Sequence, residues 1–137
     1  MSYNLTPNTA FSSVLAPQAA GQGSTNTGHV DMTGFSSVTF VIVLEAVTAG
    51  GTVTLNVEQS DNASDWTALA GSVSTDDAGI LALEVHRPMA RYIRAVVNRA
   101  DQDAETNGMI ALRRLATDNP VEDSETTSAV LVSPEAA

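Results

Sequence analysis

Apolar and polar side chains alternate along the middle of the chain with the period of a β-strand. Residues 52–58 place valine or leucine on one face and threonine, asparagine or glutamate on the other. This alternation predicts a half-buried strand with one solvated face. Residues 38–44 are β-branched and aromatic, and they are apolar at every position from Val41 to Leu44. We therefore expect a central strand with both faces covered.

Strand composition recurs further along the chain, and turn signals separate the segments. The further strand segments are residues 80–85, 91–97 and 108–115. Three short sequences predict turns: Gly-Gly at 50–51, Asp-Asp-Ala-Gly at 76–79 and Asn-Gly at 107–108. The last of them is a hairpin signal after the acidic stretch. Strands about ten residues apart, without a helical period, predict an all-β fold, an antiparallel β-sandwich or barrel.

The composition changes at two places and predicts three zones. Residues 1–30 are small and polar apart from Phe11, Val14 and Leu15, and we interpret them as an extended N-terminal arm. Residues 31–116 carry nearly all of the apolar pattern and form the predicted β-sandwich domain. Residues 117–137 are an acidic C-terminal tail, in which 130–132 are a candidate short edge strand.

Charge and length exclude several classes of protein. The chain of 137 residues suits one domain, and it contains no cysteine, which excludes disulfides and thiol chemistry. Its 16 acidic side chains outnumber 6 basic ones, all arginine, for a net charge of −10. Nucleic acid and anionic membranes should repel such a chain, so we expect neither as a direct partner. The N-terminus has no basic or apolar run typical of a signal peptide, which predicts synthesis in a cytoplasm.

The histidines do not predict an enzyme. His29 near Asp31 is a candidate metal pair, and His86 beside Arg87 is a candidate base. General acid–base and nucleophilic catalysis need such a group beside a nucleophile and an orienting partner, and no catalytic motif supplies them. We therefore expect no catalytic residue and no cofactor.

The acidic stretch begins like a calcium loop and then departs from it. Asp101, Asp103 and Glu105 occupy the first, third and fifth positions of such a loop. The sixth position is Thr106 instead of glycine, and the twelfth is Leu112 instead of glutamate. We favour a solvated acidic loop and expect no metal site, with a small calcium-dependent module as a remaining alternative.

Trp66 and the arginines allow two interpretations each. An exposed Trp66 would suit stacking on a sugar, but aromatic residues make up only 4% of the chain, and we favour a buried core position. Four arginines lie within a short stretch: Arg87, Arg91, Arg94 and Arg99. They form either salt bridges to Glu58 or Glu84 on neighbouring strands or a cationic face for an acidic partner surface.

Four segments occur in an order that resembles small structural proteins of tailed bacteriophages. These are VDMTGFSSVTFVI (30–42), GTVTLNVEQSD (51–61), WTAL (66–69) and HRPMARYIR (86–94). The chain is similar to capsid cement or decoration proteins with a jelly-roll-like sandwich. The resemblance implies a non-enzymatic virion protein that binds the major capsid protein on the outer shell surface, as a dimer or trimer.

By the same resemblance, the arm and the tail reach neighbouring subunits. Candidate partner-interface residues are Arg87, Arg91, Arg94, Arg99, Phe11 and Leu15. Two other functions remain open: a tail, head–tail connector or fibre component of the virion, and a carbohydrate-binding module that uses Trp66.

Overall fold

The computed structural model describes residues 9–114, and every regular element in that range is a β-strand. The strands are β1 (Ala10–Leu15), β2 (Gln18–Asn26), β3 (Val30–Asp31), β4 (Ser37–Val47), β5 (Thr52–Ser60), β6 (Thr67–Ala68), β7 (Val73–Thr75), β8 (Gly79–His86) and β9 (Tyr92–Arg114). All of their pairings are antiparallel. The prediction of an all-β, antiparallel, jelly-roll-like sandwich is confirmed.

β9 is 23 residues long and belongs to both layers of the sandwich. Its residues 92–100 pair with β5, and its residues 104–114 pair with β4. Between these halves, Asp101 has a φ of 70°, which interrupts the extended backbone. On its other edge, β9 pairs with β1, β2 and β3. One strand thus joins the layers into a nine-stranded sheet that curls around its own core.

The inward side chains of both layers form one apolar core. One layer contributes Val53, Leu55 and Val57 from β5 and Ile93, Ala95 and Val97 from β9. The other contributes Val38, Phe40, Ile42 and Leu44 from β4, Leu81 from β8, and Met109 and Ala111 from β9. The alternation read from residues 52–58 is confirmed, because the valine and leucine face of β5 is buried and its polar face is half-buried. Period-two patterning therefore fixes which face of this layer lies in the core.

β4 is a central strand, as predicted, with β8 on one edge and β9 on the other. The prediction that both of its faces are covered is wrong. Phe40 and Ile42 are buried, but Val41 is only half-buried and Val43 is 40% exposed. Ile110 of β9, opposite Val41, is also exposed. Consecutive apolar side chains in β4 therefore form both the core face of the sheet and an apolar patch on its outer face.

The acidic stretch 101–107 is part of β9, so the prediction of a loop and a hairpin there is wrong. Gly108 does adopt a positive φ of 100°, but within the strand and opposite β1. A Cβ added at Gly108 would lie 2.8 Å from the carbonyl oxygen of Leu15. The Asn-Gly sequence therefore permits a close approach between two strands instead of a chain reversal.

Residues 10–31, which we call the N-terminal strap, run antiparallel along the whole of β9. We predicted an arm over 1–30, whereas the sheet already begins at Ala10. Most side chains of β2 are exposed, so attachment depends on backbone hydrogen bonds, which leave no apolar pattern. The N–H of Gly28 also donates to the carbonyl oxygen of Val14 at 2.9 Å, which ties one end of the strap to the other.

Two predicted features lie outside the described residues. They are the acidic tail over 117–137 and its candidate edge strand at 130–132. Both stay predictions, as does any role of residues 1–8 as an arm.

Candidate partner-binding surface

Aromatic rings and arginines meet on the outer surface of the layer that contains β5. The aromatic–arginine cluster consists of His29, Trp66, Arg91, Tyr92 and Arg94. Tyr92 and Arg94 lie on the outward face of β9, because Ile93 between them is fully buried. His29 immediately precedes β3, and β3 pairs with the start of β9. The sheet register therefore assembles the cluster from distant parts of the chain.

The members of the cluster contact one another. The His29 ring centroid lies 5.9 Å from that of Trp66 and 5.2 Å from that of Tyr92, the latter edge-to-face. The guanidinium carbon of Arg94 lies 4.2 Å from the Trp66 centroid, and that of Arg91 lies 5.0 Å from the Tyr92 centroid. Edge-to-face ring contacts and a guanidinium over an aromatic ring are both attractive, because the ring carries a negative face and a positive edge. The cluster is thus a connected set of contacts.

A turn organised by Asn62 presents Trp66. The Asn62 side-chain oxygen accepts the backbone N–H groups of Ser64 and Asp65, both at 2.9 Å. Ala63 adopts a left-handed φ of 61° within this turn. Because asparagine side chains favour such local bonds, the polar sequence before Trp66 closes the turn and holds the indole next to β9.

Arg91 binds the carboxylate of Asp31 through two nitrogens. Its Nη2 lies 2.9 Å from Oδ2, and its Nε lies 3.1 Å from Oδ1. The hydrogen bond from Arg91 holds the pKa of Asp31 well below its usual range; burial opposes this, and the Thr33 backbone N–H, which donates at 3.0 Å, supports it. The same contact raises the pKa of Arg91. Asp31 therefore stays ionised and fixes Arg91 beside Tyr92.

Arg94 is fixed in the same way from the neighbouring strand. Its Nη2 lies 2.7 Å and its Nε 2.8 Å from Oε1 of Glu58, which is its direct register partner on β5. Of the two interpretations of the arginines, a cross-strand salt bridge to Glu58 is observed for Arg94. Glu84 instead lies 4.0 Å from Arg114, an arginine outside the predicted four. Two carboxylates therefore orient the two arginines of the cluster.

Trp66 is not in the core, so the favoured prediction of a buried tryptophan is wrong. Its side chain is half-buried at the surface, next to Arg94 and His29. The Arg94 guanidinium covers one face of the indole. A sugar ring stacks on an open aromatic face, and this face of Trp66 is occupied.

The remaining candidate interface residues are not members of the cluster. Arg99 donates from Nη1 to the carbonyl oxygens of Ala19 and Ala104, both at 2.9 Å, at the point where β9 passes between the layers. Arg87 is exposed and has a φ of 54° in the turn after β8. The four predicted arginines therefore do not share one cationic face; only Arg91 and Arg94 come together.

The two apolar residues among the interface candidates lie on β1, which contributes no side chain to the cluster. Phe11 and Leu15 are half-buried on β1, which pairs with the second half of β9. Their role in binding a partner stays a prediction, as does that of the arginines.

The candidate ligating and catalytic side chains do not form a metal or catalytic site among the described residues. His86 ends β8 and is exposed, while Asp31, the candidate metal partner of His29, is bound by Arg91. Asp103 accepts a hydrogen bond from Gln22 at 3.2 Å. Among residues 9–114, no three His, Cys, Asp or Glu side chains are grouped to hold a metal ion. The same stretch contains no helix of the length and apolar character needed to cross a membrane.

Part of the cluster was readable from the sequence. Tyr92 and Arg94 are two positions apart on a predicted strand, which places them on one face. His29 and Asp31 were considered only as a metal pair, because their approach to β9 depends on the register that pairs Asp31 with Tyr92. A long-range register of this kind leaves no local signal.

No protein-family model and no curated protein sequence matches the chain. Solved structures share its fold. The PBSX exported protein XepA aligns with a TM-score of 0.60 and 20% identity over 98% of this chain and 46% of its own. The SPBc2 prophage-derived protein YomS aligns with a TM-score of 0.50 and 12% identity, over 77% of this chain and 93% of its own. The chain thus spans less than half the length of XepA. At these low identities, the structural alignments show a common fold alone.

Proposed function

We propose that this chain is a non-enzymatic structural protein of a tailed-bacteriophage particle. It binds the major capsid protein on the outer surface of the capsid and stabilises the shell by bridging capsomers. It is made in the cytoplasm of the bacterial host and acts as a homo-oligomer on the virion.

The observation that carries the proposal is the aromatic–arginine cluster. Tryptophan, tyrosine and arginine are the residue types that contribute most binding free energy at protein–protein interfaces. Here Trp66, Tyr92 and Arg94 lie together at the surface of a sheet, and Glu58 and Asp31 fix the arginines. Side chains ordered in advance lose less entropy when a protein partner binds.

Two further features support a structural role on a shell. YomS, which shares the fold, is described as prophage-derived, and this supports a phage origin. The net charge of −10 opposes binding to packaged DNA. Many copies on one lattice also act together, because each bound copy raises the effective concentration of the next contact.

The experiment mixes the purified full chain with expanded capsids that lack it and counts the copies bound per shell. We expect saturable binding, and we expect Trp66→Ala to weaken it about tenfold or more. Ile80→Ala is the matched control, since Ile80 is an apolar side chain, 70% exposed, on the other layer. Absence of saturable binding by the unmodified chain would overturn the proposal. Equal loss in both variants would remove the cluster as the interface.

The main alternative keeps the protein in the virion but moves it to the tail, head–tail connector or fibre. Copy number and position separate the two functions. Copies spread over the whole shell support a cement protein, whereas a single ring at the neck or tail supports the alternative. Labelling the protein in purified particles and locating it by electron microscopy gives this result.

A carbohydrate-binding module is the second alternative, and Trp66 is the residue that it would use. Arg94 lies over the indole, so a glycan would have to displace a residue that is already bound to Glu58. A glycan array probed with the unmodified chain tests this function directly, and binding that Trp66→Ala abolishes would support it.

A further inference from the structure

A cleft opens between the two layers beside β8. The β8 cleft lies between residues 83–86 of β8 and the segment 69–72, and it has a volume of about 400 Å³. Buried Val57 lies at its base, and half-buried Leu69, Leu83 and Val85 line it while packing against the core. The cleft therefore leads from solvent to apolar side chains of both layers.

One wall of the β8 cleft is the edge of a sheet. Among residues 9–114, β8 pairs with β4 only. Its other edge therefore presents backbone N–H and C=O groups to the cleft, and such an edge is a template for another strand. The N-terminal strap differs from β8 in this respect. The N–H of Gly28 donates to the carbonyl oxygen of Val14, so some backbone groups of the strap are paired within the strap itself.

The described chain leaves the sheet close to this cleft. Arg114, at the end of β9, and His86, at the end of β8, are both paired with Ser37 on β4. Two strand spacings separate them, a distance of about 10 Å. Nη1 of Arg114 also lies 4.0 Å from a carboxylate oxygen of Glu84, which lines the cleft.

The sequence after Arg114 contains one segment suited to the cleft. Residues 129–132 read Ala-Val-Leu-Val, whereas the rest of the sequence from 117 onward is mainly acidic or polar. The intervening residues 115–128 can extend over about 45 Å at 3.3 Å per residue, several times the distance to the cleft. A β-branched apolar segment of this kind has the composition of a strand with one buried face.

We propose that residues 129–132 bind in the β8 cleft of the same chain as a strand added along β8. Alternate side chains of the segment cover Leu83 and Val85, and its backbone satisfies the free edge of β8. The inference is independent of capsid binding, because it concerns how one chain completes its own sandwich.

The experiment measures amide hydrogen exchange of β8 in the full chain. We expect the cleft-facing amides to be protected, and we expect Leu131→Asp to raise their exchange rates about tenfold or more. Val121→Asp is the matched control, since it adds the same charge to the same tail outside the apolar segment. Equal exchange in the unmodified chain and Leu131→Asp would overturn the proposal. So would protection lost on dilution, because the occupant would then be another copy.

A second measurement does not depend on that variant. The chain has no cysteine, so Ser128→Cys carries a single nitroxide label. We expect it to broaden the amide signals of residues 83–86. Another apolar recess is a groove on the outer face, lined by Leu15, Val43 and Ile110 among others. Broadening there instead would overturn the proposal.

Discussion

The guanidinium group of Arg94 lies over the ring of Trp66, 4.2 Å from its centroid, while it binds Glu58 on the adjacent strand. One side chain thus links an aromatic surface residue to the sheet. An arginine held in this way has already lost most of its conformational freedom. Immobilising a mobile side chain when a partner binds costs about 0.5–1.5 kcal/mol. Because Arg94 is already held in place in the free protein, partner binding incurs less of this cost.

Trp66→Ala is expected to lower folding stability much less than truncation of a core aromatic side chain does. Because Trp66 is half-buried outside the core, we expect a loss of about 1–2 kcal/mol in the free energy of unfolding. Phe40→Ala is the comparison, since Phe40 is fully buried and its truncation should cost about 3–5 kcal/mol. Chemical denaturation measures both. Similar losses in the two variants would contradict the surface position of Trp66.

Asp31→Asn is expected to lower stability at neutral pH and to matter less in acid. The pKa of Asp31 is lowered in the folded state, so its ionised form contributes stability above the unfolded-state pKa of about 3.9. That contribution decreases as pH falls below this value toward the lower folded-state pKa. We expect the difference in Tm between the two proteins to shrink from pH 7 to pH 3.

Asp76→Asn serves as the control for this pH dependence, because Asp76 is exposed in the turn before β8. Thermal melting across the pH range should show a much smaller difference for it. A Tm difference for Asp31→Asn that grows in acid would have the wrong sign for the Arg91 contact.

Arg99→Met is expected to destabilise the region where β9 passes between the layers. The substitution keeps an apolar stem but removes the donor to the carbonyl oxygens of Ala19 and Ala104. We expect a loss of about 1–2 kcal/mol and faster amide exchange in β2. Arg87→Met, in an exposed turn, should change stability by less than about 0.5 kcal/mol. Equal effects would show that the Arg99 contacts contribute nothing.

Gly108→Ala is expected to loosen β1. Both Gly108 and Gly23 have positive φ, at 100° and 119°, so alanine is strained at either position. Only at Gly108 would the new Cβ lie 2.8 Å from a backbone atom, the Leu15 carbonyl oxygen, whereas nothing lies within 4 Å at Gly23. Unfolding experiments should therefore show a loss at least about 1 kcal/mol larger for Gly108→Ala than for Gly23→Ala.

The sequence predicts the strands whose side chains alternate and misses those held by backbone alone. β5 was found with nearly its observed bounds, because burial of its valine and leucine face imposes a period of two. β2 was interpreted as part of an arm, because its Gly, Ser, Thr and Asn side chains remain exposed. Its position follows from hydrogen bonds to β9, which any sequence without proline can form.

The candidate site was also only partly predictable from the sequence. A salt bridge from one of the four arginines to Glu58 or Glu84 was one of two interpretations left open by the sequence, and the register of β5 and β9 selects Arg94 and Glu58. Trp66 was placed in the core because the chain has few aromatic residues, but a single aromatic residue after a turn carries no information about the face that it joins. The polar sequence between Glu58 and Trp66 specifies a turn, but it does not specify the layer of the sandwich on which Trp66 lies.

β9 is the last strand of the described chain and pairs with five earlier strands. During translation, those five strands leave the ribosome before β9, the strand that joins them. Residues 10–60 therefore leave the exit tunnel before β9, their main sheet partner, is available for pairing. The two layers can therefore be joined only after β9 has left the ribosome, although β4 and β8 can pair before then. Long-range pairing of this kind is slow, and the waiting strands are exposed to aggregation until β9 arrives.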